Sequence, residues 1–268
     1  MTRACVVHGG APAASLAERR PGHSARGGKD TLMRFTRLAK FAATAVMAGA
    51  ATLMAPAAAQ AAVPVGGATP VLVGGVAGCT ITAAGYDAAG TPVAFTAAHC
   101  SDRINVPVIL RDNQGAGVIG TVATRNEILD YSVIRLDPGV AVPVRQAGVV
   151  GRAPAPQFGD VVCKDGLSTG HTCGITWQRE GDRFWSHACA GYGDSGGPIT
   201  RDGRLVGLVS GGHMPPAAGA AGSLGPVLPS CLHPAQSPFF LPALGYSFDA
   251  IVADATARNW PGSGFRMA

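Results

Sequence analysis

Short apolar runs separated by turn residues dominate the chain between residues 71 and 208. The runs are rich in β-branched side chains, and Gly, Pro, Asn and Asp lie between them. We predict strands at six of these runs: residues 80–83, 93–96, 106–110, 118–124, 132–136 and 205–210. Many short strands at close intervals predict an all-β fold, either a sandwich or a barrel.

One helix is predicted near the carboxyl end of the chain. Ser247 is a suitable N-cap, and Asp249 lies in the first turn. Apolar residues then recur at helical spacing: Phe248, Ile251, Val252 and Ala255. We expect this helix to pack on the second half of the protein.

Two stretches rich in Pro and small residues mark connections. The stretch between residues 137 and 159 predicts a link between two β halves, which we place at residues 62–140 and 141–268. Residues 214–230 predict a surface loop. This loop is either inert filler or a segment that gates substrate, and the sequence supports the first interpretation at least as well as the second.

The distribution of charge argues against a nucleic-acid partner. Of 268 residues, 47% are hydrophobic and 14% charged, which is enough to bury a core in one large domain or two small ones. The formal net charge is +5, but residues 1–61 alone carry eight basic and two acidic residues. The remainder has 13 basic and 14 acidic residues and no basic stripe with interleaved aromatics.

Residues 33–61 have the pattern of a secretory signal peptide. Basic residues precede an Ala-rich apolar stretch that ends in the small-residue motif Ala59-Gln60-Ala61. We predict cleavage after Ala61, an extracellular location and no stable membrane association. A retained membrane anchor is the alternative, but Ala is only weakly hydrophobic. Residues 1–32 form an Arg- and Gly-rich leader upstream of this signal, and we expect Met33 to be the true start.

Cysteine usage agrees with export. Cys5 lies in the leader, and the other cysteines form an even set: Cys79, Cys100, Cys163, Cys173, Cys189 and Cys231. An even set predicts disulfides formed in an oxidising compartment, but six cysteines allow about 15 pairings and spacing does not choose among them. Because no Cys/His cluster has zinc spacing, we predict neither a metal nor a cofactor.

The strongest chemical signal is the string Gly193-Asp194-Ser195-Gly196-Gly197-Pro198. A serine hydroxyl is a poor nucleophile at its free pKa, so it needs an adjacent base and a rigid backbone. The glycines allow tight conformations in which the N–H groups of Gly193 and Ser195 point at one spot. There they would bind the oxygen of a tetrahedral intermediate. We therefore predict that Ser195 is a nucleophile and that these two amides form an oxyanion hole.

A base and an orienting carboxylate can be matched to this serine. His99 follows the small residues Thr96-Ala97-Ala98. Because the chain also contains the serine motif, we predict that His99 is the catalytic base. Asp130 precedes an alternating strand and would hold the imidazole in the required tautomer. Asp112 and Asp137 are rivals, but both lie in turn-like sequences.

The motifs that contain His99, Asp130 and Ser195 resemble those of the chymotrypsin-like (trypsin-fold) serine peptidases. The shared strings are Thr-Ala-Ala-His-Cys, Asp-Tyr-Ser-Val-Ile and Gly-Asp-Ser-Gly-Gly-Pro, in the order His, Asp, Ser. The chain is most similar to the small bacterial branch of streptogrisins and α-lytic protease. The resemblance covers residues 79–243 and includes Val-Cys-Lys-Asp-Gly-Leu-Ser-Thr-Gly at 162–170 and Gly-Leu-Val-Ser-Gly-Gly at 207–212.

The resemblance implies two Greek-key, six-stranded β-barrels with a C-terminal helix and an active site in the cleft. The implied disulfides are Cys79–Cys100, Cys163–Cys173 and Cys189–Cys231. Ser210 would lie near Asp130, and Asp194 would be buried against Lys164, where bacterial relatives usually have arginine. The implied substrate-binding residues are His187, Ala188, Ser210, Gly211 and Gly212.

Three features depart from the family. About 17 residues separate the predicted cleavage site from Cys79, whereas many bacterial relatives carry a long pro-region. The start Ala62-Val63-Pro64-Val65 does not match the Ile-Val-Gly-Gly released in animal zymogens. No acid lies at the expected pocket floor, so a preference for Arg or Lys is not expected.

The sequence therefore predicts a secreted serine endopeptidase that cleaves protein or peptide substrates through an acyl-enzyme intermediate. The alternative is a catalytically silent binding protein of the same fold, but silent relatives usually lose a triad member and none is missing here. The sequence does not indicate the natural substrate or the preferred residue on the amino side of the cleaved bond. It also does not indicate the activation route or the oligomeric state.

Overall fold

The computed structural model describes residues 62–143, 146–212 and 242–268. They all belong to the compact unit Ala57–Ala268. The predicted leader, signal peptide and loop at 214–230 lie outside the described residues. Within the described ranges, the chain contains no helix of the length and apolarity needed to cross a bilayer.

The described chain is mostly strand. The strands are β1 Val63–Pro64, β2 Pro70–Val73, β3 Ala77–Thr80, β4 Ala83–Tyr86, β5 Pro92–Thr96, β6 Pro107–Leu110, β7 Val118–Asn126, β8 Tyr131–Leu136, β9 Val140–Ala141, β10 Val161–Lys164, β11 Thr172–Glu180, β12 Arg183–Cys189, β13 Pro198–Arg201, β14 Arg204–Gly212, β15 Pro242–Ser247 and β16 Arg266–Met267. Two 3₁₀ turns, Ala98–Cys100 and Gln114–Ala116, and helix α1, Phe248–Ala257, complete the described elements.

The first barrel is an eight-stranded sheet that curls on itself. Its strand order is β16-β4-β5-β8-β7-β6-β2-β3. Strands β3 and β4 lie near opposite ends of this order, yet only Ile81 and Thr82 separate them in the chain. Because this link spans at most about 10 Å, the two ends of the sheet must approach each other.

The second barrel is fully closed, with the order β10-β11-β12-β15-β14-β13 and a final pairing of β13 with β10. All its neighbouring strands are antiparallel. The predicted all-β fold of two barrels with a C-terminal helix is therefore confirmed. The implied count of six strands holds for the second barrel, whereas the first sheet has eight strands, one of which is the two-residue C-terminal strand β16 paired with β4. The domain boundary at residues 140 and 141 stays a prediction.

Five of the six predicted strands are present, and the strand predicted at residues 80–83 is wrong. β3 ends at Thr80, whose N–H donates to the carbonyl of Ser195 at 2.9 Å, and the N–H of Ile81 donates to Thr69 at 2.9 Å. These two N–H groups therefore donate to carbonyls outside a continuous strand pairing over residues 80–83. The apolar pattern alone could not indicate that change of partner.

Helix α1 is present as predicted, and Ser247 Oγ accepts the N–H of Ala250 at 3.4 Å. We expected it to pack on the second half, and it does contact β14 and β15. That expectation was incomplete, because its apolar residues also enter the core cluster of the first barrel. There the rings of Phe95, Phe248 and Phe265 make edge-to-face contacts, with centroids 4.9 to 5.7 Å apart. The helix therefore joins the two halves.

Candidate active site

His99 is presented by a short, crosslinked turn at the end of β5. Only Ala97 separates the strand from the 3₁₀ turn that carries His99, and the disulfide Cys79–Cys100 ties this turn to β3. The disulfide closes 21 residues, so removing it should cost about 3 kcal/mol of stability in the chain-entropy account. The imidazole is 47% exposed, which leaves one edge open to a substrate.

Asp130 faces the inner edge of this imidazole. It lies in the turn before β8 with a φ of +45°, a left-handed conformation that Asp tolerates better than most residues. Its Oδ2 lies 2.8 Å from His99 Nδ1, its Oδ1 accepts the backbone N–H of His99 at 3.0 Å, and Ser210 Oγ donates to Oδ2. The rival Asp112 instead pairs with Arg111 on the surface.

Ser195 completes the arrangement on the other side of the ring. Its Oγ lies 2.8 Å from His99 Nε2. The three side chains singled out in the sequence are therefore brought together, with the imidazole between a hydroxyl and a carboxylate. Such a geometry allows a proton to move from the hydroxyl to the ring while the carboxylate stabilises the resulting cation.

The loop that carries Ser195 is fastened to the first barrel by threonines. Thr80 Oγ1 donates to the carbonyl of Gly193 at 2.8 Å, and Thr82 Oγ1 donates to the carbonyl of Gly196. Gly196 has a φ of +83°, and a Cβ on it would lie 2.4 Å from the carbonyl oxygen of Thr80. The close approach and the positive φ together explain why glycine is needed after Ser195.

We expect Gly196→Ala to destabilise the protein by about 1–3 kcal/mol more than Gly90→Ala, because the added methyl collides with backbone atoms. Gly90 is the matched control, since its φ is +79° but no atom of the described residues would lie within 4 Å of a Cβ at that position. Urea denaturation of both variants measures the difference. Equal losses would show that positive φ, and not the close approach to Thr80, determines the requirement at Gly196.

The amides of Gly193 and Ser195 are available to an oxyanion. In the part of the chain that the structure describes, neither N–H donates to a protein acceptor. The carbonyl of Asp194 accepts the N–H of Gly197 at 2.8 Å. Because a trans peptide directs its C=O and N–H in opposite directions, this bond turns the N–H of Ser195 away from the Gly197 turn.

Asp194, the residue before Ser195, is buried against a cation. Its Oδ2 lies 2.9 Å from Lys164 Nζ, and both side chains are 0% exposed. Oδ2 also accepts from the N–H of Gly191 and from Thr169 Oγ1, while Oδ1 accepts the N–H groups of Ser168 and Thr169 and the hydroxyl of Ser168. The carboxylate is therefore fully hydrogen-bonded, as a buried charge requires.

Both ionisable groups of this buried pair have shifted pKa values. Burial alone would raise the pKa of the Asp194 carboxyl, but the hydrogen bond from Thr169, the charge of Lys164 and the N–H of Gly191 outweigh burial and hold that pKa below its usual value. Burial lowers the pKa of Lys164, and the charge of Asp194 offsets only part of this effect. The carboxylate thus stays ionised at neutral pH.

The implied substrate-binding residues lie on two strands that flank β15. His187 and Ala188 are on β12, and residues 210–212 are the end of β14. His187 is exposed and stacks on Trp177, with ring centroids 6.3 Å apart, whereas Ala188 is 1% exposed. These two neighbours therefore do not share one face, and their substrate-binding role stays a prediction.

Two of the three implied disulfides, Cys79–Cys100 and Cys163–Cys173, are present. The third includes Cys231, which lies outside the described residues. Among the described residues, one group of potential metal ligands converges, namely Cys163, His171 and Cys173. Because the two sulfurs are bonded to each other, no thiolate remains there to hold a metal.

The sequence did not reveal the residues that shape the turn of Asp130. Asn126 Oδ1 accepts the N–H groups of Ile128 and Leu129, and its Nδ2 donates to Asp254 of α1 at 2.6 Å. The hydroxyl of Tyr131 donates to the same carboxylate at 2.7 Å. The polar Asn126 at the end of an apolar strand was a signal of turn formation, but its partner lies 128 residues away.

Sequence comparison finds similarity to one protein over part of its length. No protein-family model matches the chain. A protein of Mycobacterium tuberculosis, the uncharacterized protein Rv1815, is 35% identical over 137 residues. The similarity covers 45% of this chain and 60% of the length of that protein.

Comparison of structures finds serine proteases. A glutamic acid specific serine protease described as using a novel histidine triad in substrate binding has a TM-score of 0.54 and 19% identity, and the match covers 71% of this chain and 97% of that one. A chymotrypsin of Cellulomonas bogoriensis has a TM-score of 0.51 and 20% identity, covering 76% and 100%. Protease A of Thermobifida fusca has a TM-score of 0.50 and 20% identity, covering 71% and 95%. The chain has the fold of the chymotrypsin-like serine proteases.

Proposed function

We propose that the protein is an extracellular serine endopeptidase. The observation that carries this proposal is the position of the His99 imidazole, which lies 2.8 Å from Ser195 Oγ on one side and 2.8 Å from Asp130 Oδ2 on the other. The proteolytic activity of proteins with the same fold supports the general class. The disulfides support an oxidising, extracellular location.

The reaction begins with attack of Ser195 Oγ on the carbonyl carbon of a peptide bond. His99 Nε2 takes the hydroxyl proton as the Oγ–C bond forms, and Asp130 stabilises the imidazolium. When the C–N bond breaks, His99 gives that proton to the departing amine, which leaves an acyl group on Ser195. Water then attacks the acyl carbon with His99 again as base, and the carboxylic acid and the free hydroxyl are released.

The negative oxygen of each tetrahedral intermediate is bound by the N–H groups of Gly193 and Ser195. Removing one such donor typically costs about 3 kcal/mol of barrier height. The buried Asp194 and its donors hold this loop in place, so Lys164 supports the reaction without touching the substrate. Protein or peptide segments are the substrates, and no metal or cofactor enters the mechanism.

The first test is labelling of the protein by a fluorophosphonate probe, which reacts with activated serine hydroxyls. The protein is produced from the full-length sequence and kept oxidised, and Ser195→Ala is compared with Ser132→Ala. Ser132 is a matched control because it is a buried serine on β8 whose hydroxyl has no hydrogen-bond partner among the residues that the structure describes. We expect labelling that disappears only in Ser195→Ala.

Two results would contradict the proposal. Absence of labelling from the folded wild-type protein would point to a catalytically silent protein of the same fold. Labelling that persists in Ser195→Ala would place the reactive hydroxyl elsewhere. Hydrolysis of casein by the wild-type protein, and its loss in Ser195→Ala, extends the test from serine reactivity to cleavage of peptide bonds.

A further inference from the structure

Arg125 joins the end of β7 to the turn that carries His99. Its Nε and Nη2 donate to the carbonyl oxygen of Ala98 at 3.3 and 3.2 Å, and its Nη1 donates to the carbonyl of Asp102 at 2.9 Å. The side chain is 15% exposed, and its Nη1 also lies 3.3 Å from the carboxylate of Glu127, which is 77% exposed. The guanidinium is therefore held against the protein. The planar guanidinium thus binds the carbonyl of Ala98, which precedes His99, and the carbonyl of Asp102, which follows it.

The Ala98 carbonyl and the His99 N–H belong to the same peptide group. That N–H donates to Asp130 Oδ1 at 3.0 Å. Because the group is planar and trans, its two polar atoms point in opposite directions. A single peptide group therefore lies between the guanidinium of Arg125 and the carboxylate of Asp130, and it cannot rotate without breaking hydrogen bonds on both sides.

The charges at the two ends of this chain of bonds reinforce each other. A cation at the carbonyl oxygen makes the N–H of the same peptide a stronger donor, since hydrogen bonds in series polarise one another. The bond from His99 N–H to Asp130 is also charge-assisted, which strengthens it further. Ser101 N–H donates to the same Ala98 oxygen at 3.2 Å, but it carries no charge.

We propose that Arg125 is a positioning residue for the triad. By fixing the Ala98–His99 peptide, it sets the angle between the imidazole of His99 and the carboxylate of Asp130, and so the approach of the ring to Ser195. This inference rests on the proposed function, because orientation affects the rate only if the triad is catalytic. The planar fork is required, since a lysine ammonium is a point charge without five donors in a fixed plane.

The test compares Arg125→Gln and Arg125→Lys with Arg103→Gln. Arg103 is a matched control, because it is 74% exposed near the same turn and pairs with the carboxylate of Asp102. The first measurement is the rate constant of fluorophosphonate labelling. We expect Arg125→Gln to lower it about 10- to 100-fold, as expected for a misplacement near 1 Å. Arg125→Lys should recover only part of this loss, and Arg103→Gln should stay within about twofold of wild type.

The second measurement is the downfield proton NMR signal of the His99 Nδ1–H, which reports its hydrogen bond to Asp130. We expect this signal to shift upfield or broaden in both Arg125 variants and to be unchanged in Arg103→Gln. The urea midpoint is recorded for each protein. If Arg125→Gln does not fold, Arg125→Lys provides the test, because it keeps the charge and most of the side-chain volume.

Labelling rates within about twofold of wild type in the Arg125 variants, with an unchanged His99 signal, would overturn the inference. A lower urea midpoint with an unchanged signal would also overturn it, by showing a role in stability alone. If the wild-type protein is not labelled at all, the proposed function fails. In that case the His99 signal still decides whether Arg125 orients the ring.

Discussion

Asp130→Asn is expected to slow peptide hydrolysis about 10⁴-fold at neutral pH. The amide of Asn fills the same space as the carboxylate. The carboxylate can only accept the N–H of His99 Nδ1, whereas the amide can donate its own N–H to Nδ1. The imidazole would then adopt the tautomer that has no lone pair available at Nε2, and the stabilisation of the imidazolium would also be lost. Casein hydrolysis and the rate of fluorophosphonate labelling measure the effect.

The rival carboxylates provide matched controls for this experiment. Asp112→Asn and Asp137→Asn make the same chemical change outside the hydrogen bonds of His99, so each should keep its rate within about twofold of wild type. A loss of activity in either control comparable with that of Asp130→Asn would contradict the assignment. Unfolding measurements on all three variants separate lost chemistry from lost structure.

Lys164→Met is expected to destabilise the protein by about 3–5 kcal/mol. The apolar replacement leaves the Asp194 carboxylate buried without its cation, although the donors from Ser168, Thr169 and Gly191 remain. Because Asp194 adjoins Ser195, labelling by the fluorophosphonate should fall as well. Urea denaturation measures the stability, and unchanged activity would show that Lys164 does not support the reaction.

The control is Arg201→Met, which removes a partly exposed ion pair with Asp160. Such pairs contribute about 0–1 kcal/mol, so this variant should lose far less stability. Lys164→Arg should restore much of the loss, because it returns a cation to the buried carboxylate of Asp194. Failure of Lys164→Arg to restore stability would assign the loss to packing.

The effect of Lys164→Met should depend on pH in a defined direction. In the wild-type protein the pKa of Asp194 is lowered on folding. The stability that this shift contributes is present above the unfolded value of about 3.9 and is lost as the pH falls through the lower folded value. In the variant the folded carboxyl can take up a proton more readily, so the difference from wild type should narrow as the medium becomes acidic.

The elements that could be predicted from the sequence are those whose causes are local. Helix α1 was predictable because its cap and its apolar spacing lie within one short segment, and five strands were predictable from β-branched runs between turn residues. The candidate triad was predictable because Ser195 and His99 each sit in a short, unusual string. The contact of Lys164 with Asp194 followed only from the resemblance to a known family.

Contacts that depend on how the two barrels close and pack against each other could not be predicted from local sequence. The chain leaves β3 at Thr80 because its N–H is used by Ser195, a residue of the other half. Asp254 contacts the turn of Asp130 from the C-terminal helix, and Arg125 of β7 contacts the turn of His99, which follows β5 on the far side of β8. No local pattern encodes such contacts, because hydrogen bonds between residues far apart in sequence exist only after the sheets have curled and the barrels have packed.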